Sequence, residues 1–119
     1  MNAQEWLEQK GQDVVLNELQ VLIRLIVKDN VEVILDWVEN EDLTLLYKFD
    51  DGSYWNSSLY LDDIDDDFDS AHLLAIIADR GWDDYVYMPE NYMEFSSHQQ
   101  NFIDKLREWL DEGGVNWVN

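Results

Sequence analysis

The chain has 119 residues, 46% of them hydrophobic, with 27 acidic against 7 basic side chains and a formal charge of −20. Six Trp, six Tyr and four Phe exclude a disordered acidic tail, which is poor in such residues, and the length suits a single domain over residues 1–119 with one core. The charge excludes direct binding of nucleic acid, a polyanion gripped by Lys and Arg, and equally of anionic lipid surfaces.

There is no cysteine, so disulfides and thiolate metal sites are ruled out. The stretch Met1 to Trp6 lacks the basic start and apolar run of a secretory leader. Val21 to Val27, the longest apolar-rich run, is interrupted by Arg24 and is too short to cross a bilayer. A cytoplasmic protein with no membrane partner is expected.

In chain order, Trp6 and Leu7 mark a short first turn that Gly11 separates from a helix. That helix carries Val15, Leu19, Leu22 and Ile26 on one stripe, widened by Leu16, Ile23 and Leu25, with Asp13 as N-cap and Asn30 as a left-handed stop. Three strand-like runs follow. Val31, Val33, Leu35 and Trp37 alternate with Glu32, Ile34, Asp36 and Val38, a run apolar enough to be helix instead. Leu43, Leu45, Tyr47 and Phe49 alternate in the second run, and Asp51-Gly52 is a strong hairpin signal before the third, Tyr54 to Leu61.

Six of the eight residues from Asp62 to Asp69 are Asp, with Ile64 and Phe68 set among them. Asp69 or Ser70 then caps a helix through Leu73, Leu74, Ile76 and Ile77, which Arg80-Gly81 should stop. Tyr85 to Met88 reads as a short edge strand ended by Pro89. Ser96 or Ser97 caps a last helix whose apolar face is Phe102, Ile103, Leu106, Trp109 and Leu110, up to Gly113-Gly114. The order implies an α+β domain: a helix, a three-stranded antiparallel meander, then two further helices with a short edge strand, the helices forming a single layer on the sheet.

Catalytic signatures are missing. There is no GxGxxG, P-loop, GxSxG or HExxH, and His72 and His98, the two histidines, read as helix-terminus residues. An EF-hand register from Asp63 puts Phe68 where glycine must turn and Leu74 where a bidentate Glu is needed; one from Asp65 puts Ser70 and Ile76 there. Neither register works, so no metal and no cofactor are expected, and the chain is read as no enzyme.

The aspartate run on its own is a solvated loop leading into a helix N-terminus. Two observations point further. Bulky Ile64 and Phe68 sit inside the run, and the acidic excess continues at Glu39, Glu41, Asp42, Asp50 and Asp51 on the sheet's turns and at Asp79, Asp83, Asp84, Glu90 and Glu94. Gathered on one side, such carboxylates approach the charge density of duplex phosphates, roughly one per 1.7 Å, and offer arginine its bidentate acceptors. The expected partner is therefore a positively charged protein. Its contact residues are expected to be Asp50, Asp51, Asp62, Asp63, Asp65, Asp66, Asp67, Asp69, Asp83, Asp84, Tyr85 and Tyr87. Tyr85, Tyr87, Met88, Tyr92 and Met93 around Pro89 form a candidate apolar patch.

In length and charge over the whole chain, though not in any motif, the sequence resembles the nucleic-acid-mimic inhibitors of phages and mobile elements. These include anti-restriction proteins, anti-CRISPR proteins and inhibitors of DNA-repair glycosylases. The resemblance implies a non-catalytic inhibitor that presents a phosphate-like carboxylate surface to a nucleic-acid-binding protein. Immunity proteins that neutralise basic nuclease toxins look similar and supply the alternative. A third reading, a salt-adapted acidic domain without a specific partner, sits less well with so many large aromatics.

Overall fold

Antiparallel pairing of three strands builds the frame, and helices lie against one of its faces. The computed structural model describes residues 1–87 and 94–114. The elements are α1 (Ala3–Lys10), α2 (Gln12–Val27), β1 (Val31–Glu39), β2 (Asp42–Phe49), β3 (Tyr54–Tyr60), α3 (Ser70–Tyr87) and α4 (Ser97–Asp111). The strands pair in the order β1-β2-β3, an antiparallel meander, and the α+β class is as expected.

The first segment is more than the short turn its composition suggests. Asn2 Oδ1 accepts from the Glu5 N–H at 2.9 Å while Glu5 Oε1 accepts from the Asn2 N–H at 3.1 Å, a reciprocal cap that starts α1. Gly11, at φ 91, ends α1 and opens α2 without a side-chain cap. Asp13 therefore lies in the first turn, where the helix dipole favours it, and is not the N-cap. The left-handed stop is Lys28, φ 58, two residues before the expected Asn30. α2 buries Val15, Leu19, Ile23, Ile26 and Val27, whereas Leu25 stays 64% exposed.

On the sheet, Val31, Val33, Leu43, Leu45, Tyr47, Phe49, Ser57 and Leu59 are buried toward the helices. Tyr47 is fully buried. Its ring meets Phe102 of α4 at 4.9 Å and stacks on Trp55 at 5.4 Å, and its hydroxyl lies 2.7 Å from Ser57 Oγ. That pairing satisfies two polar groups removed from water, and burial pushes the Tyr47 hydroxyl pKa up. Along β1 the alternation fails at Asp36. Leu35 opposes Leu45, but Trp37 opposes Thr44, so one extra residue bulges out. The bulge turns Trp37 to the outside and brings Val38 against the core. The outer edge of β1 is met by α2: Gln20 Oε1 accepts from the Val33 N–H and Arg24 Nε donates to the Val31 carbonyl. The β2–β3 hairpin turns at Asp51-Gly52 as expected, with Gly52 at φ 85.

Two expectations about α3 are corrected. The helix does not stop at Arg80-Gly81, and Tyr85 to Tyr87 is helix, not an edge strand; Met88 lies outside the described residues. Gly81 is buried within the helix, facing Trp55 and Ile103, with room for a methyl group. A Cβ there would lie 3.4 Å from the Trp55 ring and 3.8 Å from Ile103. A glycine buried in mid-helix looks, in sequence, like one that ends it. Ser96 caps α4 through a reciprocal pair with Gln99, and Phe102, Ile103, Leu106 and Trp109 are buried along its inner face.

Candidate functional site

The acidic segment is shaped by its two apolar residues. Ile64 is only 7% exposed, and its main chain exchanges two hydrogen bonds with Met1, at 2.9 and 3.1 Å. The Phe68 ring stands edge-on to Trp6 at 5.0 Å, and its carbonyl accepts from Trp6 Nε1 at 3.2 Å. Between the anchors, Asp63 takes the left-handed conformation (φ 49) that Asp tolerates, and the Phe68 N–H closes a turn onto the Asp65 carbonyl. Burial of Ile64 and the packing of partly buried Phe68 on Trp6 thus hold the backbone while the aspartates from Asp62 to Asp67 stay exposed.

The loop, Tyr60 of β3, and His72 and Ile76 of α3 enclose an open groove of about 350 Å³. Asp62, Asp63, Asp65 and Asp67 line it, with Ile64, Phe68 and Ile76 as apolar surface. Its described lining contains no Lys or Arg. Among the described residues, those four carboxylates make no hydrogen bond or ion pair, so their charge serves no local structure. Asp66 is exposed on the same loop, outside the lining. Glu41 and Asp42 join this end of the sheet. Asp42 lies opposite Tyr60, and Glu41 Oε2 accepts from the Tyr60 hydroxyl at 3.0 Å; that bond and the carboxylate charge raise the Tyr60 pKa. At the rim, Asp69 Oδ1 caps α3 through the His72 N–H (2.9 Å) and sits 2.6 Å from His72 Nδ1. Partial desolvation raises the Asp69 carboxyl pKa, but the His72 main chain and ring outweigh it and leave the group below the usual carboxylate value.

The remaining expected contact residues do not converge there. Asp50 and Asp51 sit at the opposite end of β3, about 20 Å away at ~3.3 Å per residue. Both have structural partners. Asp50 Oδ1 accepts from Asn30 Nδ2 at 3.1 Å, and Asp51 accepts from the Ser53 hydroxyl and N–H, bonds that hold its carboxyl below the ordinary value. Asp83 is exposed on α3, about 20 Å along the helix from Asp69 at ~1.5 Å per residue. Asp84, Tyr85 and Tyr87 continue α3, but their side chains lie outside the described part of the structure, as do Met88, Pro89, Tyr92 and Met93. Sequence reasoning missed Tyr60, which lines the groove. Its place at an even position of the third run, out of phase with the inward Leu59 and Leu61, was the available signal.

His72 and His98 each hold a carboxylate at Nδ1, Asp69 and Asp29 respectively, both at 2.6 Å. Among the described residues no hydroxyl or carboxylate is bonded to either Nε2, so neither pair extends to a nucleophile. No group of three or more metal-ligating side chains among the described residues could hold a metal ion. No helix among the described residues is long and apolar enough to cross a membrane. The chain matches no protein-family model, no curated protein and no solved structure.

Proposed function

We propose that this domain is a non-catalytic inhibitor that captures a basic nucleic-acid-binding protein, its carboxylates taking the place of phosphates, in the manner of anti-restriction and anti-CRISPR inhibitors. One observation carries the reading: four carboxylates without structural partners among the described residues gather on a single groove beside apolar surface, in a chain of charge −20. An arginine entering there lays its aliphatic stem on Ile76 and Phe68 and its guanidinium among Asp62, Asp63, Asp65 and Asp67. The long-range field steers such a partner in and speeds encounter. The histidine pairs, which reach no nucleophile among the described residues, support a binding role over a catalytic one.

The test is capture from a cell lysate on the immobilised chain. The expected result is retention of basic nucleic-acid-binding proteins that rising salt and added duplex DNA release, and that the Asp62→Asn, Asp63→Asn, Asp65→Asn, Asp67→Asn variant fails to retain. Retention indifferent to duplex DNA, or equal retention by the quadruple variant, sinks the reading. A second reading, an immunity protein for a basic nuclease toxin, draws support from exposed Trp37, Tyr54 and Tyr60, since aromatic anchors dominate such interfaces. Toxin-like captures that resist salt would favour it.

A further inference from the structure

The helices reach the sheet through the face of Val33, Leu45 and Tyr47, and no described element covers the other. That face is a regular grid. Ile34, Leu46 and Asn56 form one cross-strand row, and Trp37, Thr44 and Ser58 the next. Tyr54 and Tyr60 stand at the two ends of its β3 column, 62% and 64% exposed, and Trp37 is 49% exposed. Trp and Tyr on an open sheet are the residue types that anchor protein interfaces. The bulge at Asp36 is what delivers Trp37 to this side, since unbroken alternation would have kept it in phase with Val31 and Val33.

We propose that this open face is a docking surface for a cationic, amphipathic protein segment, whose apolar side chains pack on Trp37, Ile34 and Leu46 and whose arginines or lysines meet the carboxylates around them. Charge selects the occupant. Glu32, Asp36, Glu39 and Asp42 border the strip against one cation, Lys48, which lies opposite Glu32. A second copy would bring another −20 chain against the same carboxylates, and like charges facing one another at an interface cost several kcal/mol. Size selects the arrangement. Three strands ~4.8 Å apart with four outward residues each give a backbone grid of roughly 10 by 20 Å. That falls short of the ~800 Å² per partner typical of stable complexes. Tyr60 belongs both to this face and to the acidic groove, so the two form one continuous surface. The inference rests on the proposed function for the partner's positive charge, and adds an apolar contact that salt does not screen.

Two synthetic peptides separate the parts: hexa-arginine, and a hexamer alternating leucine and arginine. Followed by amide NMR, hexa-arginine should shift residues 62–67 and bordering carboxylate positions such as Glu39 and Asp42, spare residues 34, 46 and 58, and leave in high salt. The alternating peptide should also shift residues 34, 37, 46 and 58 and stay bound in high salt. Trp37→Ser should weaken the alternating peptide by about tenfold or more while leaving hexa-arginine unchanged. Ser58→Lys, which removes no apolar side chain, should weaken it in the same direction. The inference is overturned if the strand amides do not shift, if both variants bind the alternating peptide as the parent does, if a leucine–glutamine hexamer binds equally well, or if the strand shifts prove to report self-association. Strand shifts without any hexa-arginine response at 62–67 would instead fell the acidic groove and leave the sheet face standing.

Discussion

The two ends of the sheet carry the same residue type to opposite purposes. At the hairpin end, aspartates are part of the architecture: Asp51 closes its turn onto Ser53, Asp50 takes the Asn30 amide, and Asp29 holds His98 of α4. At the groove end, Asp62, Asp63, Asp65 and Asp67 repel one another with no bond in return among the described residues. Their self-repulsion is a cost to folding, and what tolerates it is the apolar pair beneath them. In a chain this acidic, the carboxylates worth suspecting of an outward role are those whose removal would help the fold.

That contrast can be broken in several places. The largest effect is expected at the anchor: Ile64→Ala should cost about 2–4 kcal/mol in urea unfolding, as buried aliphatic truncations do, and should loosen the groove with it. A loss under half a kcal/mol would mean that Ile64 does not hold the loop.

Next comes pH. The Asp29 hydrogen bond, opposed by partial desolvation and aided by the charges of Asp29, Asp51 and Asp50, raises the His98 pKa above its ordinary 6.5. Protonated His98 therefore stabilises the folded state fully below pH ~6.5, and the contribution fades as pH rises through the higher folded value. The urea midpoint should fall across that window in the parent chain and stay flat in His98→Gln. Asp51 works the other way. Its lowered pKa gives stability that is present above the ordinary carboxylate value and is lost as pH falls through the folded one.

A sign test follows. Asp51→Ala should lower the urea midpoint at neutral pH, whereas the quadruple Asp→Asn change at the groove should leave it unchanged or raise it. Equal signs would erase the difference between the two ends. Smallest of all, Gly81→Ala should add about 0.5 kcal/mol, because the helix gains propensity and the new methyl meets Trp55 at an ordinary contact distance. A loss there would mean that the α3–β3 approach is tighter than 3.4 Å implies.

Much of the fold was legible because its signals are local. Period-two alternation from Leu43 to Phe49, Asp51-Gly52 at the hairpin, and Ser96 ahead of the Phe102–Leu106 stripe each act within a few residues. What failed depended on distant neighbours. Gly81 reads as a terminator until Trp55 and Ile103 are seen against it, and Asp36 reads as one more strand residue until its pairing with β2 slips. The candidate site divides the same way. Clustering at Asp62 to Asp67 is visible in the chain, but which carboxylates are already engaged depends on Asn30 for Asp50 and His98 for Asp29, pairs brought together by folding. Asn2 with Glu5, like the phase of Tyr60 in its strand, is a purely local signal that went unread.

Gln20 and Arg24 occupy main-chain groups of β1 that would otherwise offer themselves to a neighbouring strand. Sheet proteins left open along a flank tend to recruit further chains there and grow into filaments. With that flank shut by its own helix, this molecule has one fewer way to polymerise at high concentration, and shortening Gln20 to Ala would reopen a site for such growth at the Val33 amide.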